Sequence, residues 1–328
     1  MSQFLYNRIY LGDSLSGMSN VPDSSVDLVM TSPPYFLKRG TIGVGMIKEM
    51  DAYLNSLWEF MRVVIPKVKP TGSIVVNLGD KHREGMLLVP HRFAIGVVDN
   101  LGIRMVNEVV WAKKNNSPQP NKRRMVSSFE PIYHFALTKD YKYHYERFTS
   151  PSKEPPKFGK GKGLRYYKII ERSSLTLIQK DNALKALEDV MDKLHRGEIT
   201  DFRMKILGEH TLPFGGFDGG RVKEIQKNGF VIVEFKGGTM LRDVLSVATG
   251  DNRNIPHHSI YPLGIPDFFI ELLTDEDDIV LDPFAGSGTT LLSAKRKKRN
   301  YVGFEINPEF ACLAADRIGM DLDKIIEI

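Results

Sequence analysis

A single cysteine, Cys312, occurs in the 328 residues. One thiol cannot close a disulfide within the chain, and zinc is left without a cysteine cluster. The eight histidines have no spacing suited to zinc, so no metal site is expected. No run approaches the ~18 apolar residues of a membrane span. The opening MSQFLYNRIY lacks the charged-then-apolar pattern of a secretory signal. A soluble cytoplasmic protein with no membrane partner is the expectation. Also missing are the dinucleotide pattern GxGxxG and the phosphate-binding pattern GxxxxGK[ST]. Position 289, after AGSG, is threonine, so no lysine is placed to hold phosphates. Readings based on NAD or ATP weaken accordingly.

The residues present describe a large α/β protein. A 42% hydrophobic content suffices for a sizeable core. The net charge of +5 and isoelectric point near 9.0 are mild, so the placement of the positive charge matters more than its sum. Short β-rich runs alternate with helical patterns: NRIYLGD, SVDLVMTS and GSIVVNLGD against DAYLNSLWEFMRVVIP and VPHRFAIGVVDNLG. Such alternation predicts a parallel sheet flanked by helices. RMVNEVVWAK and PIYHFALTK read as strands of a long hairpin at the sheet edge.

From about residue 140 to 253 the composition changes, and residues 140–253 read as a separate lobe between an N-terminal part, 1–139, and a C-terminal part, 254–328. The lobe holds the basic stretch PSKEPPKFGKGKGLRYYK, a helical pattern around DNALKALEDVMDKLH and the glycine turns FGGFDGG and KGGT. After it the α/β signature returns, with PDFFIELLT, DDIVLDPF, TTLLSAKRK, NYVGFEIN and PEFACLAADRI.

Two stretches carry chemistry. In DIVLDPFAGSGTT a buried strand runs into Gly286 and Gly288, whose lack of a Cβ lets backbone approach a ligand at a helix start. The following strand ends in GFEIN, where the Glu305 carboxylate can accept hydrogen bonds from both hydroxyls of a ribose. Glycine loop plus acid suggests a nucleoside. The second stretch is TSPPY at 31–35, directly after the apolar SVDLVM. Two prolines end any regular element within two residues.

Together, TSPPY and DPFAGSG resemble the catalytic and cofactor motifs of amino-group DNA methyltransferases that use S-adenosyl-L-methionine. The order, catalytic motif first and cofactor motif last with a basic lobe between, resembles their circularly permuted β group. YLGDSL, VVWAKKNNSPQP and HHSIYPLGIP resemble further family segments in the family's order. The resemblance covers nearly all of the chain except the lobe. It implies a Rossmann-like, seven-stranded, mostly parallel sheet with an antiparallel edge strand, and an inserted target-recognition lobe. It implies cofactor contacts from Asp13, His258, Asp282, Phe284, Ala285, Gly286, Ser287, Gly288, Thr289 and Glu305. It also implies double-stranded DNA as substrate and a restriction endonuclease acting on the same site as a partner. Monomer and homodimer both stay open.

The reaction explains the corner. An exocyclic amino nitrogen is a poor nucleophile because its lone pair is delocalised into the base. Accepting hydrogen bonds from both of its N–H groups concentrates that lone pair toward the methyl group. Ser32 Oγ and the Pro33 carbonyl can supply the two acceptors, Pro34 fixes the corner, and Tyr35 offers a face for a flipped-out base. Ser32 is a weak base, so the proton is expected to leave to water after transfer. In the resembling family, serine at the first motif position is usual for N4-cytosine enzymes and aspartate or asparagine for N6-adenine enzymes. Ser32 therefore points to cytosine, although hydrogen-bond physics does not forbid serine from serving adenine. A DNA-binding protein that keeps the fold without catalysis is the remaining alternative.

DNA contact is expected from several basic segments. Residues 151–172 carry seven Lys/Arg against two acids, interleaved with Phe158, Tyr166 and Tyr167. Such chemistry suits phosphates, with stacking groups attached. Lys157, Lys160, Lys162 and Arg165 are the candidates there. Lys38 and Arg39 lie in the glycine-bearing FLKRGTIGVGM, which has the composition of a lid. Lys113, Lys114, Arg123 and Arg124 flank the hairpin loop. The run KRKKR at 295–299 reads instead as cations complementing a helix C-terminus.

Overall fold

The computed structural model describes residues 5–37, 43–115, 123–148, 162–212, 219–235, 241–249 and 261–328. The chain divides into two compact units, Met1–Tyr145 with Arg242–Ile328, and Glu146–Leu241.

The first unit opens with β1 (Arg8–Leu11), the short helix α1 (Ser14–Gly17) and β2 (Val26–Thr31), all of whose residues are buried. Helix α2 (Met50–Val64) turns Tyr53, Leu54, Leu57, Phe60, Met61 and Val64 to the core at three- and four-residue spacing. After β3 (Val68–Asn77), helix α3 (Val89–Leu101) starts with Pro90 in its first turn and stops at Gly102, whose φ of 64° suits a residue without a Cβ. Gly96 of α3 lets the two helices close. A Cβ there would stand 2.2 Å from the Trp58 ring, and the Trp58 indole donates to the Phe93 carbonyl at 3.1 Å. Strands β4 (Arg104–Lys113) and β5 (Phe129–Ala136) form the expected antiparallel pair.

The second unit holds α4 (Lys162–Arg172), α5 (Leu177–His195), β6 (Asp201–Ile206), α6 (Gly220–Asn228) and β7 (Phe230–Phe235). A reciprocal capping box between Thr176 and Gln179 starts α5. β6 and β7 pair antiparallel, and Leu187, Val190, Phe202 and Ile206 lie in one buried cluster. Tyr166 belongs to this packing: its ring lies 5.6 Å from that of Phe202 and its hydroxyl accepts from the Met204 amide at 3.2 Å. Tyr166, read in the sequence as a stacking group for nucleic acid, is thus partly buried against this core. Phe158 lies outside the described residues.

The chain then returns to the first unit as β8 (Val244–Val247), α7 (Gly264–Leu273), β9 (Ile279–Asp282), α8 (Thr289–Arg296), β10 (Asn300–Glu305), α9 (Pro308–Ile318) and β11 (Ile325–Glu327). The sheet order is β11-β1-β10-β9-β2-β3-β5-β4-β8. This is the expected Rossmann-like, mostly parallel α/β sheet, with nine strands where the resemblance implies seven. Among the described residues β5 alone runs against its neighbours, and it lies between β3 and β4 instead of at an edge. β8 covers β4 in parallel. The compact units accordingly divide at residues 146 and 241, not at 140 and 253. No helix of the described residues is long and apolar enough to cross a membrane.

Candidate active site at the carboxyl ends of the strands

β2 and β9 are adjacent and parallel, with Leu28 opposite Val280 and Val29 opposite Leu281. This register brings the ends of two distant motifs together. Thr31, the last residue of β2, donates through Oγ1 to Asp282 Oδ1 at 2.7 Å. Asp282, 1% exposed, also accepts from the Phe284 amide at 3.1 Å, and so begins the loop that follows. Burial pushes its carboxyl up to about 6, against hydrogen bonds from Thr290, Thr31 and the Phe284 amide that pull it down. Tyr261 reaches the same cluster through a hydroxyl contact with Thr290.

The AGSG loop is a tight cradle. Gly286 and Gly288 have φ of 51° and 75°, values costly for any residue with a Cβ. A Cβ on Gly288 would also stand 2.8 Å from that of Ala314 in α9. The Ala285 amide donates to the Phe304 carbonyl, and the Phe284 ring rests 4.9 Å from Phe60. Arg317 of α9 donates to the Ser287 carbonyl and hydroxyl and to Thr289 Oγ1, which holds the turn from behind. Glu305, at the end of β10, accepts the Gly286 amide on Oε2 at 2.7 Å and the Asn307 amide on Oε1 at 2.9 Å. Burial raises its carboxyl above the usual range. Leu11 is the register partner of Glu305, so Asp13, two residues on, comes beside the cradle while capping α1 by accepting the Ser16 amide.

The TSPPY corner is braced from three sides. Tyr53 of α2 donates to the Pro34 carbonyl at 2.8 Å, leaving the Pro33 carbonyl as the candidate acceptor. Ser32 Oγ donates toward the Tyr35 hydroxyl at 3.4 Å. That hydroxyl donates to Glu130 Oε2 at 2.7 Å and lies 3.0 Å from Asn77 Oδ1. Burial first, and the Glu130 carboxylate second, push the Tyr35 phenol well above its ordinary range. A Cβ on Gly79 would stand 2.3 Å from the Tyr35 ring, so that glycine makes room for the aromatic.

The predicted basic residues meet different fates. Lys113 is paired with Glu130 at 2.7 Å and lies over the Trp111 ring, so its ammonium is engaged inside the site. Lys114, Arg123, Arg124 and Arg165 are exposed, and Lys162 begins α4. Lys38, Arg39, Lys157, Lys160 and His258 lie outside the described residues. Four of the five cations in the KRKKR run have partners within the chain. Lys295 donates to the Ile318 carbonyl, Lys297 pairs with Glu271, Lys298 pairs with Glu276, and buried Arg299 bonds Thr274. Tyr53, Asn77 and Glu130 carry no motif signal and were not anticipated. Thr31 and Tyr261 sit inside the quoted motifs without having been singled out.

Comparison with known proteins gives the family of the chain and its fold. The profile of the N6_N4_Mtase family, described as DNA methylase, matches residues 26–316. The type II methyltransferase M.PvuII of Proteus hauseri is 28% identical over 343 residues, which cover 98% of this chain and 87% of the relative. Among solved structures, the PvuII DNA methyltransferase (cytosine-N4-specific) superposes with a TM-score of 0.60 at 22% identity, covering 96% of this chain and 86% of that one. The M1.HpyAVI–SAM complex superposes with a TM-score of 0.53 at 19% identity, covering 95% and 99%.

Proposed function

The chain belongs to the N6/N4 family of DNA methylases, and on that premise we propose that it moves the methyl group of S-adenosyl-L-methionine to the exocyclic N4 of a cytosine flipped out of double-stranded DNA. The observation that carries the reading is the Thr31–Asp282 hydrogen bond. It locks the serine-proline corner to the glycine cradle, so that a methyl donor and an amino acceptor can be held at one place.

The cradle fits the cofactor. Two glycines of positive φ and a carboxylate with one backbone amide on each oxygen leave lone pairs of Glu305 for a ribose diol. Asp13, at the adjoining strand end, would face the adenine. When bound, the cofactor supplies an electrophilic methyl group. Everything else falls to the chain. Ser32 Oγ and the Pro33 carbonyl accept the two amino N–H bonds and aim the nitrogen lone pair. Tyr53 holds Pro34 in place so that the corner keeps this direction.

Serine at position 32 favours cytosine over adenine, and the similarity to the PvuII DNA methyltransferase, which is cytosine-N4-specific, supports the same choice. DNA contact by the second unit is supported by a groove of about 550 Å³ along α4, lined by Leu164, Arg165, Lys168, Ile169 and Arg172. Similarity to type II methyltransferases supports a restriction endonuclease acting on the same site as a partner. Mass spectrometry of nucleosides from DNA incubated with the protein and the cofactor tests the reading. N4-methylcytosine is expected, and N6-methyladenine alone overturns the cytosine assignment.

A further inference from the structure

Tyr35 joins two groups that the transfer reaction uses differently. Its hydroxyl receives the Ser32 hydroxyl at 3.4 Å and passes its own hydrogen to Glu130 Oε2 at 2.7 Å. The first distance is long, as catalytic hydrogen bonds often are before substrate binds. Beyond Tyr35, Glu130 accepts Lys113 Nζ on Oε1 at 2.7 Å, with the two side chains only 15% and 19% exposed. Asn77 borders the row: Nδ2 donates to the Pro131 carbonyl at 3.1 Å, which turns Oδ1 toward the Tyr35 hydroxyl. Sheet pairing alone does not call for this row, because β3, β5 and β4 are already joined by backbone ladders.

We propose that Glu130 acts through Tyr35 as a positioning residue for Ser32 and receives the proton that the amino group gives up on methylation. The proposal rests on the amino-methyl-transfer reading. It replaces direct loss of that proton to water with a path built into the site.

The steps balance. As the nitrogen forms its bond to the methyl carbon it becomes cationic, and one N–H bond breaks with the electron pair staying on nitrogen. That proton goes to Ser32 Oγ, the Ser32 hydroxyl proton goes to the Tyr35 oxygen, and the Tyr35 proton goes to Glu130 Oε2. Each hydroxyl gains one proton and loses one, and the carboxylate ends neutral. A phenol pushed well above its ordinary range suits this role, since it begins and ends protonated. Glu130 then releases the proton to solvent and regains its pairing with Lys113. Among the described residues, the titratable and charged groups facing Glu130 are Tyr35 from the corner after β2 and Lys113 from β4.

The test is single-turnover transfer of labelled methyl from S-adenosyl-L-methionine to DNA from a host lacking this protein, between about pH 5 and 9. Full-length wild type, Glu130→Gln, Tyr35→Phe and the double variant are compared. Glu130→Gln and Tyr35→Phe are each expected to slow transfer ~10- to 100-fold, with calorimetric cofactor affinity unchanged. The double variant should be no slower than the slower single one, as for two members of one unit. The acid-side fall of the wild-type rate should vanish in Glu130→Gln. A wild-type rate in either single variant, a wild-type pH profile in Glu130→Gln, or loss of cofactor binding in step with rate overturns the relay. If the wild type leaves no methylated nucleoside, the transfer reading and the relay fall together. If it transfers methyl and Glu130→Gln matches it, the relay alone falls.

Discussion

The Thr31 hydroxyl donates to Asp282 Oδ1 across the β2–β9 boundary at 2.7 Å, between residues 251 positions apart in the chain. This one bond joins the first residue of TSPPY to the first residue of DPFAGSG. Each side constrains the other. The strand register sets where the corner stands, and the corner's threonine helps orient the carboxylate that starts the glycine loop.

Asp282 makes stability depend on pH in an unusual direction. Its carboxyl is held up to about 6 in the fold, against 3.8 for the free group. A raised acid is harder to ionise folded than unfolded, so stability falls as pH rises from 3.8 through 6 and the full cost remains above. Two pH units correspond to about 3 kcal/mol. Asp282→Asn should therefore gain stability over the wild type above pH 6 and gain none below about 4. Denaturant unfolding across this range is the measurement. An advantage that is the same at all pH values would show that ionisation is not its cause.

Ser32→Ala removes one of the two acceptors for the amino group while leaving the cradle intact. Turnover should drop ~10- to 100-fold, and the dissociation constant of S-adenosyl-L-methionine should stay within about twofold. Isothermal titration beside a methyl-transfer assay separates the two effects. Equal loss of binding and turnover would mean that Ser32 belongs to the cofactor site.

Gly288→Ala combines a left-handed backbone with an overlap. At φ 75° a Cβ costs about 1–2 kcal/mol, and the new carbon would stand 2.8 Å from Ala314 Cβ. The loop has to shift against α9, straining the grip of Arg317 on Ser287. Weaker cofactor binding together with a lower melting temperature is expected. Unchanged values of both would contradict the tight-cradle geometry.

Glu305→Ala takes away the carboxylate proposed for the ribose. Charge-assisted hydrogen bonds contribute about 1.5–3 kcal/mol, so affinity for S-adenosyl-L-methionine should fall ~10- to 150-fold. Adenosine should lose affinity by a similar factor, since it carries the same ribose, and methionine should lose none. Competition binding with these two fragments reads this out.

Much of the architecture is legible in local pattern. The apolar stripe of α2, the glycine stop after α3 and the GSG turn before α8 are written in neighbouring residues, and each formed where the spacing called for it. β8 was not legible. Its four residues, VLSV, have no alternation strong enough to separate them from the lobe, and only pairing with β4 makes them a sheet strand. The packing of Tyr166 was hidden for a related reason: a tyrosine among lysines shows no core partner until Phe202 and Met204 come beneath it.

The amino-acid sequence by itself determined the residue types at both ends of the reaction path: a serine-proline corner, a glycine loop and an acid at the next strand end, each a consequence of local backbone freedom and side-chain chemistry. Tertiary structure alone decided their company. Thr31 meets Asp282, and Tyr35 meets Glu130 and its partner Lys113, because a parallel sheet sets side by side the ends of strands far apart in the chain. Such neighbours leave no trace in local spacing.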